Sequence, residues 1–566
     1  MAYQNYPTQL FDNLKEMLNA SCERFGNKTL FLQKRDGVYK SISFQSYQTD
    51  VNALGTELLA RGLRGKRILL IGENCYRWVT AYMAVICGVG VIVPVDKELP
   101  TEELVNISRV CNAAAVIYSP GVAQKVRCLD EDIERISFDD LPKLVSRGHK
   151  RVKSMDFRYI DAKINRSEMA ALIFTSGTTG VSKGVMLSHR NICFNLYQMC
   201  KMIYISEKDV FLSVLPLHHC YECTCGFLCQ VYRGCTVAFS EGLRYLVQNM
   251  QEVKPTMMLC VPLLLETLYQ KIWNKIRREG MEKKVISAIK TTNLLRPAKA
   301  RMLAKKKVFS AIHQSFGGRL RLFISGGASV DPSILEGLRD LGFDTRQGYG
   351  LTECAPIAAL NRDGFYNDAS AGMATPDTLL DVYDVQDDGT GEIRFKGENV
   401  MLGYYGMPDE TARVIRGGWF YTGDLGYLDD KGFLYITGRK KNVIVTANGK
   451  NIFPEELETY LNRTKFVKES VVIGYMNEKK HDYDVVALIH PDYEAMRATY
   501  GEKFTDAQLH LEMKRAVAGV NAQTQSYKRV DTYLICENEF PKNTSRKIKR
   551  AGLAEREMDR YLEKVR

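Results

Sequence analysis

The sequence lacks the features of an exported or membrane-spanning chain. Its first residues, MAYQNYPTQLFDNL, contain no basic region followed by an apolar one, and its fifteen cysteines are scattered along 566 residues. We therefore expect no secretory signal, a reducing environment and a cytoplasmic protein. One charge-free stretch, residues 78–95, approaches the length of a membrane span, but Gly88, Gly90 and Pro94 interrupt it. Its apolar spacing predicts a buried helix and then a core strand, so no span is predicted; loose contact with a membrane surface is left open.

Signatures of nucleic-acid binding are also absent. The chain has no zinc-finger or RNA-binding motif, and its 78 Lys and Arg residues are well mixed with 66 Asp and Glu residues. The net charge of +12 and the isoelectric point near 8.9 still favour anionic partners. With 45% hydrophobic residues over this length, we expect a globular enzyme of two or more domains that binds small anions and no nucleic acid.

A second ligand pair for a structural zinc site is missing. The segment HHCYECTCGFLC places His218, His219 and four cysteines within twelve residues. A structural zinc site usually draws on two separated pairs of ligands, and no other C-x-x-C or H-x-x-x-H stands elsewhere in the chain. We therefore predict small apolar cysteines on a buried helix, with zinc as the weaker alternative.

The most informative segment that is present is a loop of glycines and hydroxyls, TSGTTGVSKG, between two apolar runs. Glycines let backbone N–H groups turn toward a ligand and hydroxyls add donors, so the loop can form a nest for phosphate. It is not the nucleotide-binding P-loop, because Ser182 stands where that motif needs its second glycine. The flanking EMAALIFT and GVMLSH predict strands, so we expect a phosphate-wrapping hairpin loop, with a plain surface turn as the alternative. Its candidate binding residues are Thr175, Ser176, Gly177, Thr178, Thr179, Gly180 and Lys183.

Two further motifs follow in the second half of the chain. ISGGAS puts Gly326 and Gly327 at the end of a predicted strand, where a flat ring could approach the backbone. QGYGLTEC offers Tyr349 as a stacking face, Thr352 as a phosphate donor and Glu353 as an oxygen ligand for a hard cation. Each motif alone is a weak indication of a nucleotide site.

The composition and the predicted secondary structure change after Gly438, and the last motifs lie on either side of this point. Asp424 and Arg439 each close a strand-and-turn unit, and such side chains can bind the hydroxyls or phosphate of a nucleotide. Beyond them come a charged break, RKK, short strands, a helix PEELETYLN and a capping box that opens TDAQLHLEMKRAVAGV. This predicts a separate small α/β domain. Near its end PKNTSRKIKR is strongly basic, for which a solvated tail is the simplest interpretation.

Taken in order, TSGTTGVSKG, LPLHH, ISGGAS, QGYGLTE, YTGDLGYLDDKGFLYITGRKK and PKNTSRKIKR resemble the adenylate-forming superfamily of acyl-CoA synthetases, luciferases and peptide-synthetase adenylation domains. The resemblance covers about residues 10–555, and LPLHHCYE, VPLLLETLYQKI and GRKKNVIVTANGKNIFPEELE look most like long-chain fatty acid CoA ligases. It implies an α/β fold with a large N-terminal domain of stacked sheets and helices and a small barrel-like subdomain, residues 1–438. A small, mobile C-terminal α+β domain, residues 439–566, would carry the catalytic lysine.

The resemblance also implies two-step chemistry with ATP, Mg²⁺ and coenzyme A. A carboxylate attacks the α-phosphate of ATP, giving an acyl-adenylate and pyrophosphate, and a thiolate then displaces AMP. Lys547 would bridge the carboxylate and the α-phosphate, and His219 would lie beside the carboxylate. Thr178 and Glu353 would hold Mg²⁺. The implied catalytic residues are Lys547, His219, Thr352 and Glu353, and the nucleotide site adds Gly326, Gly327, Ala328, Gln347, Gly348, Tyr349, Gly350, Asp424 and Arg439.

The same resemblance places a hinge and an acyl site. The C-terminal domain would rotate between the two steps at Lys441, and TANGKN, residues 446–451, would then face the thiol. The wall of the acyl tunnel would include residues 221–226 and 257–264, which are apolar as a fatty acid requires.

The sequence departs from the family pattern at two points, and three alternative functions are left open. Arg546 replaces a glycine that the family usually has before its lysine, and no acidic residue stands near His219 to hold the amine of an amino acid. A medium- to long-chain fatty acid joined to coenzyme A is therefore the preferred reaction. The alternatives are an acyl-AMP ligase or acyl-carrier-protein synthetase, an adenylation enzyme for aryl or amino acids, and a non-enzymatic binding protein.

Overall fold

The fold is given by a computed structural model that describes residues 5–175, 182–447, 450–542, 548–550 and 552–565. Its helices are α1 (Leu14–Phe25), α2 (Phe44–Ala60), α3 (Tyr76–Ala84), α4 (Thr101–Val110), α5 (Ala123–Arg127), α6 (Leu141–Lys153), α7 (His189–Met202), α8 (Cys229–Arg233), α9 (Leu246–Val253), α10 (Pro262–Arg278), α11 (Glu282–Asn293), α12 (Ala298–Val308), α13 (Ser310–Ser315), α14 (Pro332–Asp340), α15 (Pro408–Val414), α16 (Pro454–Asn462), α17 (Tyr493–Tyr500), α18 (Asp506–Gln523) and α19 (Leu553–Val565). Shorter turns are π-helical at Val85–Val89 and Tyr221–Leu228, and 3₁₀ at Pro120–Val122, Leu243–Tyr245, Thr352–Cys354, Lys440–Asn442 and Ser526–Lys528.

The strands alternate with these helices along most of the chain. They are β1 (Thr29–Arg35), β2 (Val38–Ser43), β3 (Arg67–Ile71), β4 (Val91–Val95), β5 (Ala113–Tyr118), β6 (Glu134–Ser137), β7 (Met169–Thr175), β8 (Lys183–Ser188), β9 (Val210–Ser213), β10 (Thr236–Phe239), β11 (Met257–Cys260), β12 (Leu322–Ser325), β13 (Asp344–Gly350), β14 (Ile357–Leu360), β15 (Met373–Ala374), β16 (Leu379–Tyr383), β17 (Gly391–Lys396), β18 (Gly403–Tyr404), β19 (Ile415–Arg416), β20 (Trp419–Leu428), β21 (Leu434–Arg439), β22 (Ile444–Val445), β23 (Asn451–Ile452), β24 (Val467–Asn477), β25 (Asp482–Pro491) and β26 (Thr532–Ile535).

Two large sheets form the N-terminal part. One has nine strands in the order β15-β14-β13-β12-β11-β9-β10-β1-β2, and the other has seven in the order β18-β8-β7-β4-β3-β5-β6. The central strands of both run parallel and are connected through helices. Antiparallel pairs lie at both edges of the nine-stranded sheet and at the β18 edge of the seven-stranded sheet, whose other edge strand, β6, is parallel to β5. A five-stranded sheet of β16, β17, β20, β19 and β21 forms the smaller subdomain.

The buried apolar side chains form separate clusters in the N-terminal and C-terminal parts. One cluster joins the facing sides of the two large sheets, and the buried residues from Ile444 onward form clusters of their own around β24, β25 and β26. This arrangement confirms the predicted α/β fold with a large N-terminal part and a small C-terminal part.

Local predictions from the sequence hold where the pattern is strong. Residues 78–95 form the end of α3, a π-helical turn and β4, as expected of a buried helix followed by a core strand. Helix α16 begins at Pro454, and Thr505 and Gln508 form the capping box of α18. Over the described residues no helix is both long enough and apolar enough to cross a bilayer. All fifteen cysteines are free thiols, and Cys128 alone among them is exposed.

Candidate active site

The two strands that flank the predicted phosphate loop in the sequence, β7 and β8, form an antiparallel hairpin. Thr175 and Lys183 are register partners at its mouth, and Thr175 Oγ1 lies 3.5 Å from the Lys183 carbonyl oxygen. The hairpin confirms the two predicted strands. The loop residues Ser176, Gly177, Thr178, Thr179 and Gly180 lie outside the described residues, so their proposed contacts with phosphate and Mg²⁺ stay predictions.

Lys183 makes two contacts with residues that come more than two hundred positions later in the chain. Its Nζ lies 2.7 Å from Glu410 Oε2 in α15 and 5.1 Å from the ring centroid of Tyr404. Tyr404 lies on β18, which pairs with β8, so the fold brings LGYYG beside the phosphate hairpin. The ammonium is therefore held at the hairpin mouth by an ion pair and an aromatic face.

Tyr404 also connects this lysine to the candidate metal ligand. Its hydroxyl donates to Glu353 Oε1 at 2.8 Å, and Glu353 sits in the 3₁₀ turn that begins at Thr352, just after β13. A half-buried carboxylate oriented by one hydrogen bond still has oxygen lone pairs for a hard cation, so Glu353 fits Mg²⁺. Tyr404 and Glu410 are not predicted from the sequence, because no motif connects LGYYG or PDETARV with the phosphate loop.

Asp424 lies at the centre of a third group of contacts. It is the register partner of Arg439 across β20 and β21, and Arg439 Nε lies 2.5 Å from its Oδ1. Its Oδ2 accepts a hydrogen bond from the hydroxyl of Tyr349. Burial and the nearby Asp424 charge raise the pKa of Tyr349 well above its usual value, so this phenol stays a hydrogen-bond donor. The structure thus brings together all three of these predicted nucleotide residues.

The glycine motif ISGGAS lies at the end of β12, the strand next to the one that carries Tyr349. Strand β12 leads into Gly326, whose missing side chain leaves room for the ring of Tyr221; a Cβ there would lie 2.9 Å from the ring. Gly327 has φ +89°, which favours glycine, and both Gly327 and Ala328 are exposed at the strand end. Because β12 and β13 are parallel neighbours, this edge and Tyr349 lie side by side, as a site for a flat ring requires.

The side chain of Gln347, a predicted nucleotide residue, makes its hydrogen bonds within the protein. Its side chain is buried and its amide donates to the carbonyls of Asp368 and Ser370, while its oxygen accepts from the Val330 backbone N–H. Both N–H groups of this amide are used within the protein, so the side chain fixes a loop, and its contact with nucleotide stays a prediction.

Gly348 and Gly350, on either side of Tyr349, lie where the neighbouring strand leaves no room for a side chain. A Cβ at Gly350 would lie 2.3 Å from the Pro356 carbonyl oxygen, and one at Gly348 would lie 2.9 Å from a methyl carbon of Leu360. These two glycines therefore allow β13 and β14 to pack closely beneath Tyr349.

The structure corrects the prediction about acidic residues near His219. The sequence predicts no acidic residue near this histidine, but Asp96, which follows β4, lies 3.3 Å from Nε2 of the neighbouring His218. The rings of His218 and His219 are 4.1 Å apart between centroids. Side-chain atoms of Asp96, His218 and His219 lie within 4.8 Å of one another, and two imidazoles with one carboxylate suit a transition metal better than Mg²⁺. The long separation along the chain hid this carboxylate.

A second acidic group, Glu222, follows His219 by three residues and was overlooked in the same interpretation. It lies in the π-helical turn Tyr221–Leu228, is fully buried, and accepts a hydrogen bond from Ser213 Oγ at 2.5 Å. Within the described part of the chain its Oε2 has no hydrogen-bond partner. Burial raises the pKa of Glu222 to about 8, so the carboxyl is mostly protonated at neutral pH.

The turn that carries Glu222 belongs to the predicted acyl wall. It packs against β9 and β11, and the Tyr221 hydroxyl donates to the Ile324 carbonyl at 3.0 Å. Gly226 leaves room for the carboxyl one turn below, since a Cβ there would lie 2.7 Å from Glu222 Cδ. The segments 221–226 and 257–264 are therefore neighbours, but the wall contains an acid that the predicted apolar tunnel did not.

The predicted buried cysteine helix is confirmed. Cys220, Cys223, Cys225 and Cys229 are buried free thiols on or beside the same π-helical turn. Burial, with a smaller contribution from the Glu353 charge, raises the pKa of Cys220 to about 12. Such thiols pack as small apolar groups.

Comparison with known proteins decides the family. The family model of the AMP-binding enzyme matches residues 18–405, and that of the AMP-binding enzyme C-terminal domain matches residues 441–563. The chain belongs to the AMP-binding enzyme family. This confirms the resemblance to adenylate-forming enzymes.

Relatives of this AMP-binding enzyme include fatty acid ligases. It is 28% identical over 500 residues to a long-chain-fatty-acid–CoA ligase of Rattus norvegicus, covering 81% of this chain and 75% of the relative. It is also 28% identical over 540 residues to long-chain-fatty-acid–CoA ligase 1 of Homo sapiens, covering 86% and 75%.

Solved structures show the same fold. ATP-bound MatB from Rhodopseudomonas palustris has a TM-score of 0.75 at 23% identity, covering 97% of this chain and 99% of that one. The o-succinylbenzoate CoA synthetase of Bacillus subtilis, solved with its acyl-adenylate intermediate, has a TM-score of 0.73 at 20% identity, covering 95% and 97%.

The C-terminal part of this AMP-binding enzyme begins beside the site. Lys441 is exposed in the 3₁₀ turn that follows β21, two residues after Arg439. Lys440 Nζ lies 2.8 Å from Glu392 of the five-stranded sheet, whereas Asn442 donates to Glu455 of α16 at 2.6 Å. The residue before the predicted pivot thus contacts the five-stranded sheet, and the residue after it contacts α16. Lys547 lies outside the described residues; the next residue, Ile548, pairs with Lys542 in an antiparallel bridge.

Proposed function

We propose that this AMP-binding enzyme activates a medium- to long-chain fatty acid with ATP and transfers the acyl group to coenzyme A, releasing AMP and pyrophosphate. The main support is a set of contacts that brings together residues from distant motifs. These are Lys183 with Tyr404, Glu353 with the same tyrosine, and Asp424 with Arg439 and Tyr349. The fatty acid is proposed from the long-chain ligases among the relatives.

In the first half-reaction the protein positions ATP and neutralises charge. Asp424 and Arg439 would hold the ribose, and the aromatic face of Tyr349 with the Gly326–Gly327 edge would hold adenine. Lys183 would exchange its contact with Glu410 for the departing phosphates. Mg²⁺, held by Glu353 and Thr178, would neutralise charge on the triphosphate. Lys547 would stabilise the charge that develops between the carboxylate and the α-phosphate.

In the second half-reaction the acyl carbon must become accessible to a thiol. We propose a C-terminal domain of residues 439–566 that turns about Lys441, because the two neighbours of this residue are tied to different parts of the chain. The thiolate then attacks the acyl carbon, the bond to the phosphate oxygen breaks, and AMP leaves. Hinges of this kind absorb a large rotation at a few residues.

A second substrate class has specific support. Asp96 lies in one group with His218 and His219, and Glu222 lies in the turn that begins two residues after His219. An amino or hydroxyl group on the acid would donate to such carboxyl groups, so an acid that carries one, aliphatic or aryl, is the alternative substrate. An acyl carrier protein in place of coenzyme A is the alternative acceptor.

The deciding experiment is ATP- and Mg²⁺-dependent pyrophosphate release across a panel of acids, with and without coenzyme A. The panel contains even-chain acids from acetate to stearate, a hydroxylated fatty acid, benzoate and several amino acids. Each buried methylene should contribute up to about 0.8 kcal/mol, nearly fourfold in kcat/KM, until the tunnel ends. A maximum at acetate, or a higher kcat/KM for benzoate or an amino acid than for any fatty acid, would contradict the fatty acid assignment.

A further inference from the structure

The positive charge of the chain is concentrated in one helical segment. Residues 271–307, which we call the basic arm, contain thirteen lysines and arginines and two glutamates, so they account for nearly all of the net charge of +12. The arm comprises the second half of α10, all of α11 and most of α12. The AMP-binding chemistry uses none of these residues.

The basic arm is a surface feature with few internal ion pairs. Lys283, Lys284, Lys290 and Lys299 are exposed, and the salt bridges of the described residues include none of them. By contrast, Lys305 is buried against Asp340 at 2.9 Å. The exposed lysines are therefore available to an anionic partner.

Exposed aliphatic side chains are interspersed with these charges. The connection from α11 to α12 and the first residues of α12 are exposed from Leu294 to Ala300, and Leu294 keeps 82% of its accessible surface. Leu303 in α12 keeps 63%. Singly exposed leucines are common, but here they share one hairpin with most of the charge, which is the combination found in helices that lie on membranes.

A groove on the same hairpin adds hydrogen-bond donors. The space between α11 and α12, about 530 Å³, is lined by lysine, hydroxyl and small apolar side chains, namely Lys283, Lys284, Ser287, Ala288, Thr291, Thr292 and Val308. Ammonium and hydroxyl groups both donate to phosphate oxygens, so the groove suits the head group of a phospholipid.

We propose that the basic arm docks the enzyme on an anionic lipid bilayer, with its lysines on the head groups and Leu294 and Leu303 inserted between them. The chemistry favours lipid over nucleic acid because the exposed apolar side chains are aliphatic, whereas single-stranded nucleic acid is bound by stacking on aromatic ones. Helix α10 begins two residues after β11, which packs against the turn carrying Glu222. The arm therefore extends from the wall of the predicted acyl site.

The test is co-flotation of the full chain with vesicles of phosphatidylcholine containing about one-third phosphatidylserine, compared with vesicles of pure phosphatidylcholine. We expect binding to the anionic vesicles only, with a strong dependence on salt. The triple variant Lys283→Gln, Lys284→Gln, Lys290→Gln should bind about 100-fold more weakly, because each lysine near an anionic surface contributes roughly fivefold. The variant Leu294→Ser, Leu303→Ser should be released at lower salt than the wild type.

The matched control changes Lys143, Lys150 and Lys153 to glutamine, because these lysines are also exposed but lie on α6. This control should bind like the wild type. Equal binding by the wild type and the arm variant, or an equal loss in the α6 control, would overturn the proposal. So would displacement of the protein from vesicles by duplex DNA at equal charge concentration. Vesicle binding needs no turnover, so these outcomes are independent of the acid substrate.

Discussion

Asp424 and Arg439 face each other across β20 and β21, with Arg439 Nε 2.5 Å from Asp424 Oδ1. The second carboxylate oxygen accepts the hydroxyl of Tyr349. Contacts at both oxygens fix the orientation of the carboxylate. We therefore propose that the Asp424 carboxylate is preorganised for the ribose of ATP.

We expect Asp424→Asn to lower kcat/KM for ATP about 100-fold, since hydrogen bonds to a charged group contribute about 1.5–3 kcal/mol. ATP–pyrophosphate exchange measures the change directly. Asp430→Asn, exposed on the same hairpin, is the matched control and should behave like the wild type. An Asp424→Asn enzyme with unchanged dependence on ATP would show that the pair only supports the hairpin.

Replacing Lys547 should separate the two half-reactions. Lys547→Ala should slow adenylation by at least about 10² while sparing thioester formation, because the lysine is proposed to contact only the first transition state. The measurement supplies synthetic acyl-adenylate and coenzyme A to the variant. Lys549→Ala, an exposed lysine two residues later, controls for loss of charge. If thioester formation falls as far as adenylation, Lys547 has another role.

Fixing the proposed pivot should have the opposite effect. Lys441→Pro restricts φ at 441 and the conformation of Lys440, so it should hold the C-terminal part in its adenylation position. We expect the first turnover to release pyrophosphate at close to the normal rate while thioester production falls at least about tenfold. Lys441→Ala should keep both steps, which separates the backbone effect from loss of the ammonium. Equal loss of both steps in the proline variant would mean that residue 441 is merely structural.

The buried Glu222 should make stability depend on pH. Burial raises its pKa in the folded protein from an ordinary 4.5 to about 8, so the folded chain holds a proton that the unfolded chain releases. The stability associated with this proton is fully present below pH 4.5 and is lost progressively as the pH rises to about 8.

Glu222→Gln keeps the shape and the contact with Ser213 but cannot ionise. Its thermal midpoint should match that of the wild type near pH 5 and exceed it by several degrees near pH 8.5. The exposed Glu131→Gln serves as control and should follow the wild type at every pH. A constant difference between Glu222→Gln and the wild type across this range would show that Glu222 is ionised in the folded protein.

Features encoded by neighbouring residues could be predicted from the sequence. The apolar runs on either side of TSGTTGVSKG specify β7 and β8, and Pro454 and the Thr505 capping box specify where α16 and α18 begin. These signals act within a few residues, so they do not depend on the rest of the fold.

Contacts between distant segments could not be predicted in the same way. Tyr404 reaches Lys183 and Glu353 only because β18 pairs with β8, and Asp96 reaches His218 only through the packing of separate segments. Gln347 stands inside a nucleotide motif, yet its amide is used by the loop that carries Asp368. A motif fixes which residues are present, whereas the tertiary fold fixes where their side chains point.

The single exposed thiol has a practical consequence for following the motion. Because Cys128 alone among the fifteen cysteines is exposed, a maleimide dye should react there first and leave the buried thiols of the core unmodified. Cys128 follows α5 in the N-terminal part, far along the chain from the proposed pivot. One cysteine added on an exposed face of α18 would then provide the second labelling site for a donor–acceptor dye pair, with the rest of the sequence unchanged. Single-molecule energy transfer between these dyes would time the proposed rotation within each catalytic cycle.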